Sequence, residues 1–193
     1  MSGYSDTPLK DLTVECGTRP HAPALPGVTE DHRRQGRKLA AIHRMHLMDM
    51  ARIAALLQRI EAGTEGPEAL NEAVQGLDLT ENMRSFGSLC GRECKVLTFH
   101  HDAEEYSVFP QLEAQQIEGL SALFARLRAE HEVVHELLQR LERAAMALMF
   151  ETTEAKFAET QAVFAKLEEV IRSHFGYEET QLEEAIGVFL EGI

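Results

Sequence analysis

The chain has 193 residues, 44% of them hydrophobic, which suits one domain with a single buried core. Its 32 acidic against 19 basic side chains leave a formal net charge of −13, so binding to nucleic acid or to an anionic membrane surface, which needs clustered cations, is not expected. Three cysteines, Cys16, Cys90 and Cys94, are too few and too unevenly spaced for a disulfide framework.

The start of the chain shows no charged segment followed by an apolar run, and no stretch approaches the roughly eighteen apolar residues of a membrane helix. A cytoplasmic, reducing setting is expected. Residues 1–28 carry four of the six prolines, Pro8, Pro20, Pro23 and Pro26, with Gly3, Gly17 and Gly27 and little periodicity. They are expected to form an extended, loosely held arm. From Thr29, a suitable N-cap, the apolar residues Leu39, Ile42, Met50, Ile53, Leu57 and Ile60 recur at spacings of three and four. The spacing predicts a helix over 30–62, broken by Gly63, Gly66 and Pro67, with a short turn or crossover over 67–79.

A second helix is predicted over 80–114, with Phe86, Leu89, Cys90, Val96, Leu97, Val108 and Leu112 on its apolar side and Pro110 kinking or stopping its last turn. A third spans 117–148 through Leu120, Phe124, Leu127, Val134, Leu138 and Leu141. A fourth starts near Thr152 to Glu154, runs through Phe157, Phe164, Leu167, Ile171, Phe175 and Leu182, and ends near Gly187. Four amphipathic helices without strand-like alternation point to an all-α fold, an antiparallel up-and-down four-helix bundle over 29–193 preceded by the arm.

Each helix carries histidine. His43 and His46 lie on the first, HHDAEEYSVFP begins with His100 on the second, HEVVH holds His131 and His135 on the third, and HFGYEE places His174 and Glu178 on the fourth. Residues i and i+4 share a helix face with Cβ atoms roughly 5–6 Å apart, so His100 with Glu104, His131 with His135, and His174 with Glu178 can each reach one metal or two adjacent ones. At about 100° per residue, His100, Glu104, His174 and Glu178 fall on the apolar stripes, whereas Glu105 is turned away by about a quarter circle. His131 lies well inside and His135 nearer the edge. His46 is more central than His43, and geometry leaves the choice between them open.

Burying two carboxylates costs several kcal/mol each unless charge and hydrogen bonds compensate. No lysine or arginine occupies a matching stripe position, so bound metal is the expected compensator. Imidazole with carboxylate and without thiolate favours iron or manganese, with zinc open. Two carboxylates able to bridge suggest two ions about 3.5–4 Å apart.

HHDAEEYSVFP, EHEVVH and HFGYEE, within roughly residues 38–190, resemble the hemerythrin-like family. The resemblance implies a pair of iron ions with an oxo or hydroxo bridge, zinc or manganese being the lesser expectation. It matches His100, Glu104, His131, His174 and Glu178 to metal ligands, with Glu104 and Glu178 similar to bridging carboxylates. His43 matches the first-helix ligand by register, and His135 completes an HxxxH like that of oxygen-carrying hemerythrins. The implied function is binding or sensing of dioxygen, nitric oxide or peroxide by a monomer or dimer. The alternatives are an enzyme of the same site, decomposing peroxide or reducing nitric oxide in iron-sulfur repair, and a zinc-holding interaction module.

Other features have plainer readings. His101 and Glu105 are expected outside the metal shell or on the surface, where carboxylates orient ligating imidazoles. Cys90 and Cys94 read as small core fillers, and Tyr106 and Tyr177 flank the ligand pairs. A ferritin-like centre needs two Glu-x-x-His motifs with two further glutamates, and Glu132 to His135 is the one match.

Overall fold

The computed structural model describes residues 3–15, 17–69 and 96–190. Cys16, Cys90, Cys94, Phe86, Leu89, most of the expected turn over 67–79, the first part of the predicted second helix and the side chain of Val96 lie outside them. The described residues contain helices and no strand. None of these helices is long and apolar enough to cross a membrane.

Helix α1, Glu30–Gly36, starts at Thr29, whose side chain accepts from the His32 amide while the Thr29 amide donates to His32 Nδ1. That reciprocal cap satisfies two backbone donors left open at a helix start. The predicted first helix is then interrupted at Arg37, and α2 runs Lys38–Glu61. It stops at Gly63, whose φ of +73° suits a residue without Cβ. Helix α3 is Val96–Ala103. A π turn over Glu104–Val108 follows, and α4, Phe109–Glu113, completes one helical rod over 96–113. Pro110 has no amide hydrogen to give, and the wider π turn just before it lets the helix pass through rather than stop there.

Helix α5, Leu120–Phe150, begins behind Gly119, and α6, Glu154–Phe189, begins at Thr153, whose side chain accepts from the Lys156 amide. Gly187 lies inside α6 and does not end it. Its role is proximity: a Cβ there would sit 1.8 Å from the His32 carbonyl oxygen, and one on Gly36 would sit 1.9 Å from that of Glu183. Two missing side chains thus let α1 lie directly on α6. Arg33 to Glu184 at 2.7 Å and Arg37 to Glu183 at 3.2 Å span the same contact.

Two apolar clusters form the core. One gathers Met50, Ile53, Leu57, Leu97, Val134, Leu137, Leu141, Phe164, Leu167, Ile171 and Phe175; the other gathers Leu39, Phe109, Leu112, Leu120, Phe124, Leu127, Leu182 and Ile186. Between them every long helical segment turns polar: His43 and His46 on α2, His100 and His101 on α3, His131 on α5, His174 and Glu178 on α6. Glu104, in the π turn, joins that layer.

The segment before residue 29 is mostly without regular structure, yet it is held against the helices. Leu12 and Val14 are buried in the first cluster. Arg140 donates to the carbonyls of Tyr4, Ser5 and Thr7, Tyr177 donates to that of Pro20, and the Ala22 amide donates to Gln181. Composition marks the prolines here but carries no trace of such long-range bonds.

The glycine contact yields a direct test. Gly36→Ala or Gly187→Ala must push backbone from backbone and is expected to cost about 1–3 kcal/mol in chemical denaturation. Gly176→Ala, in the same helix with nothing within 4 Å of the new methyl, is expected to gain up to about 1 kcal/mol from helix propensity.

Candidate metal centre

The polar layer brings together two sets of donor atoms, each within 4.8 Å of one another: His43, His100, Glu104 and Glu178 in one, and His101, His131 and His174 in the other. All seven side chains are buried. The carboxylates lie between the sets. Glu104 Oε1 is 3.2 Å from His100 Nε2 and its Oε2 is 3.6 Å from His131 Nε2. Glu178 Oε2 is 3.5 Å from His43 Nε2 and 3.6 Å from His174 Nε2. Each carboxylate therefore faces one imidazole of either set, which is the placement a bridging ligand requires.

The other ring nitrogen is tied down from outside. Nδ1 of His43 is 2.9 Å from Glu179, that of His131 is 2.7 Å from Glu105, and that of His174 is 3.1 Å from Glu130. A carboxylate only accepts, so Nδ1 carries the hydrogen and, in the neutral ring, Nε2 presents a lone pair to the layer. Nε2 of His43 and His100 lie 3.0 Å apart. Glu130 is gripped in turn by Arg126 at 2.7 Å and by Arg19, from the arm, at 2.8 Å. Burial pushes the Glu130 carboxyl up, but its bonds to His174, Arg126 and Arg19 outweigh this and hold it below the usual range.

The seven residues expected on the stripes are all buried in or beside this layer, and His135 departs from the expectation. Its Nε2 lies 3.1 Å from His101 Nδ1, outside both donor sets. His101 takes the inner place: its ring is fully buried, stacks on His131 at a centroid distance of 3.9 Å, and leaves Nε2 without a partner. Of the two first-helix candidates, His43 belongs to a donor set; His46 does not, although it is 3% exposed. Glu105 and His131 form the outer pair expected of that carboxylate. Tyr106 is 79% exposed and the Tyr177 hydroxyl is committed to Pro20, so neither phenol faces the layer.

His101 was hidden from a single-helix reading because it sits about 100° from His100. The signal that finds it is the neighbourhood. α3 lies between α2 and α5, so His100 turns toward His43 and His46 while His101 turns toward His131 and His135. Adjacent residues serve opposite neighbours.

The electrostatics require a cation. Among the described residues, nine buried side-chain atoms have no hydrogen-bond partner, and all belong to His46, His101, Glu104, His131, His174 and Glu178. Unpaired buried polar atoms are few in folded proteins. Burial, together with the charges of Glu178 and Glu105, pushes the Glu104 carboxyl well above its usual range. Burial and the other imidazoles push His100, His101 and His131 well below theirs. An ion set among five imidazole lone pairs and two carboxylates satisfies the unpaired atoms of His101, Glu104, His131, His174 and Glu178 together, leaving those of His46, and a donor set of nitrogen and oxygen without sulfur suits iron, manganese or zinc. The residues present thus fit a metal pair.

The hemerythrin HHE cation binding domain model matches residues 37–186, and the chain belongs to that family. No curated protein and no solved structure matches it.

Without metal, the layer sets the response to pH. His46 is pushed to about 3 by burial and by His43, and His135 is also lowered by burial. With His100, His101 and His131 these groups take up protons near 6.5 only when unfolded, so each stabilises the fold above that pH and loses its contribution below it. His43, where bonds to Glu178 and Glu179 outweigh burial, and Glu104 are raised and act in the opposite sense. Glu105, raised by burial, acts in that same opposite sense, and five lowered groups against three raised ones give the sign. Metal-free protein is expected to lose stability in chemical denaturation as pH falls from 7.5 to 5.5, with a slope up to about 1.4 kcal/mol per pH unit for each net proton.

Proposed function

We propose that this hemerythrin-family chain is an antiparallel up-and-down four-helix bundle that holds a carboxylate-bridged pair of iron ions and binds or senses a small ligand such as dioxygen, nitric oxide or peroxide. The single observation carrying this reading is the burial of Glu104 and Glu178 between two sets of imidazole lone pairs with no lysine or arginine paired to them among the described residues. The order of the apolar clusters supports the bundle. Along α2 the chain passes from the cluster of Leu39 to that of Met50, from Leu97 to Phe109 the reverse, along α5 from Leu127 to Val134, and along α6 from Ile171 to Leu182. Successive long segments thus cross the polar layer in alternate directions.

In this reading His101, His131 and His174 hold one ion, His43 and His100 the other, and Glu104 and Glu178 join them. When bound, the pair supplies a redox-active Lewis-acid seat for an exogenous ligand. The protein's own part is to orient and to exclude water. Glu105, Glu130, Glu179 and His135 fix the ring orientations from outside, and outer partners of this kind raise ligand basicity. The two apolar clusters close the layer above and below.

Binding or sensing is favoured over turnover by the surroundings. The phenols of Tyr106 and Tyr177 are turned away from the layer, and Arg19 and Arg126 are engaged with Glu130. Among the described residues the layer is therefore bordered by apolar groups and orienting carboxylates rather than by cationic or phenolic proton donors.

Metal analysis with an absorption spectrum tests the assignment. Protein loaded anaerobically with ferrous ion and then oxidised is expected to carry two irons per chain and absorb in the near ultraviolet. His101→Ala is expected to leave about one iron. His135→Ala should keep two while weakening retention against a chelator by about 10–100-fold. If His135→Ala loses an ion and His101→Ala does not, the inner and outer roles are reversed; a colourless zinc-loaded protein excludes the iron reading.

A further inference from the structure

We infer that His46 is not a resident metal ligand but the hydrogen-bond donor to a small, negatively charged ligand entering at the two-imidazole end of the centre. The inference rests on the two-metal reading above.

Three observations carry it. First, His46 is 3% exposed, and both its ring nitrogens lack any partner. Each other buried imidazole with an unpartnered nitrogen, His101, His131 and His174, has its second nitrogen anchored by His135, Glu105 or Glu130. Among the described residues His46 is the one such imidazole left without a partner at both nitrogens. An imidazole left open at both ends, at a cost of about 1–3 kcal/mol for each unpaired group, is placed for a partner that comes and goes.

Second, His46 occupies one end of the layer. Its ring centroid is 4.9 Å from that of His100 and 5.9 Å from that of Phe175, and Phe175 stacks flat on His43 at 3.8 Å. His46 thus borders the set made by His43 and His100 while standing outside it.

Third, the two sets are unequal. His101, His131 and His174 supply three imidazoles, whereas His43 and His100 supply two. With both carboxylates shared, the ion near His46 is one protein ligand short. A ligand filling that shortfall would lie beside a neutral imidazole, which has one N–H to donate. Phe175 beside it has no hydrogen to donate, and His43 Nδ1 already donates to Glu179. The ligand class that gains most is a small anion or a diatomic that acquires negative charge on binding.

Azide is the probe, titrated into iron-loaded protein and followed by the visible absorption its binding generates. Wild-type chain, His46→Leu and His46→Gln are compared, with iron content and near-ultraviolet absorption measured before azide is added. The expected result is two irons per chain in all three, azide affinity weakened about tenfold or more in His46→Leu, and recovery of most of it in His46→Gln, whose amide restores an N–H. A merely structural role for His46 would not be rescued by glutamine. Unchanged azide affinity in His46→Leu overturns the inference, as does wild-type protein that holds two irons yet takes up no azide. Loss of one iron from His46→Leu also overturns it, because His46 would then be a ligand of the resident pair. Wild-type protein that takes up no iron pair is distinguishable from all of these, since it fails before azide is added and removes the two-metal reading itself.

Discussion

Two glutamates buried at mid-height in the core, with no lysine or arginine paired to them among the described residues, are the constraint on which the rest of this fold is built. Several kcal/mol of desolvation for each ionised carboxylate stands against a total stability of about 5–15 kcal/mol for a domain. Burial and the charges of Glu178 and Glu105 hold the Glu104 carboxyl well above the usual carboxylate range, so protonation relieves part of that cost when no metal is bound. Cations offset that cost and use the imidazole lone pairs of the layer, those of His100, His101 and His131 being kept neutral by burial. Metal uptake and folding stability are consequently two sides of one equilibrium in this chain.

That constraint reaches outward through the histidines. The rings of His43, His101, His131 and His174 are held from behind, and the group behind His174 is itself fastened. Glu130 is 2% exposed and ionised because Arg126 and Arg19 grip it. Arg19 belongs to the proline-rich arm, where its guanidinium also lies 4.6 Å over the Tyr177 ring and donates to the Ser173 carbonyl. The arm therefore forms part of the orientation of His174, two bonds removed from the layer. A segment whose composition reads as loose is held by one charge pair and by hydrogen bonds to residues more than a hundred positions away.

How much of this could be read from the chain follows the range of the interactions. Helix starts at Thr29 and Thr153 and the pairs His100 with Glu104 and His174 with Glu178 are local, set by side-chain oxygen caps and by 3.6-residue periodicity, and they were legible. His101 was not, because its inward direction depends on α3 lying between two helices and not on α3 itself. The same cause hid the exchange by which His135 becomes an outer partner. Gly187 reads as a helix stop by its type, yet its lack of a side chain serves a helix crossing with His32. Pro110 reads as a kink or stop, and the π turn at Glu104–Val108 absorbs it. That turn also carries Glu104 inward while Glu105 reaches His131, so the helical irregularity falls on the residues the centre needs most, as π turns at functional sites commonly do.

The inequality of the two donor sets gives the centre a direction. Where three imidazoles gather, the protein comes close to filling a metal's needs, and the anchored rings of His101, His131 and His174 resist rearrangement. In the two-ion reading proposed above, the end where two gather would leave one place to solvent or to a ligand, and the neighbouring groups there are Phe175 and an imidazole unpartnered at both nitrogens. Holding one ion fast while leaving the other open would let such a site exchange a small molecule without exchanging its metals. The asymmetry arises from one choice of sequence: the tandem His100 and His101 send one ring to each side of α3, and α2 commits His43 to the donor set while leaving His46 beside it.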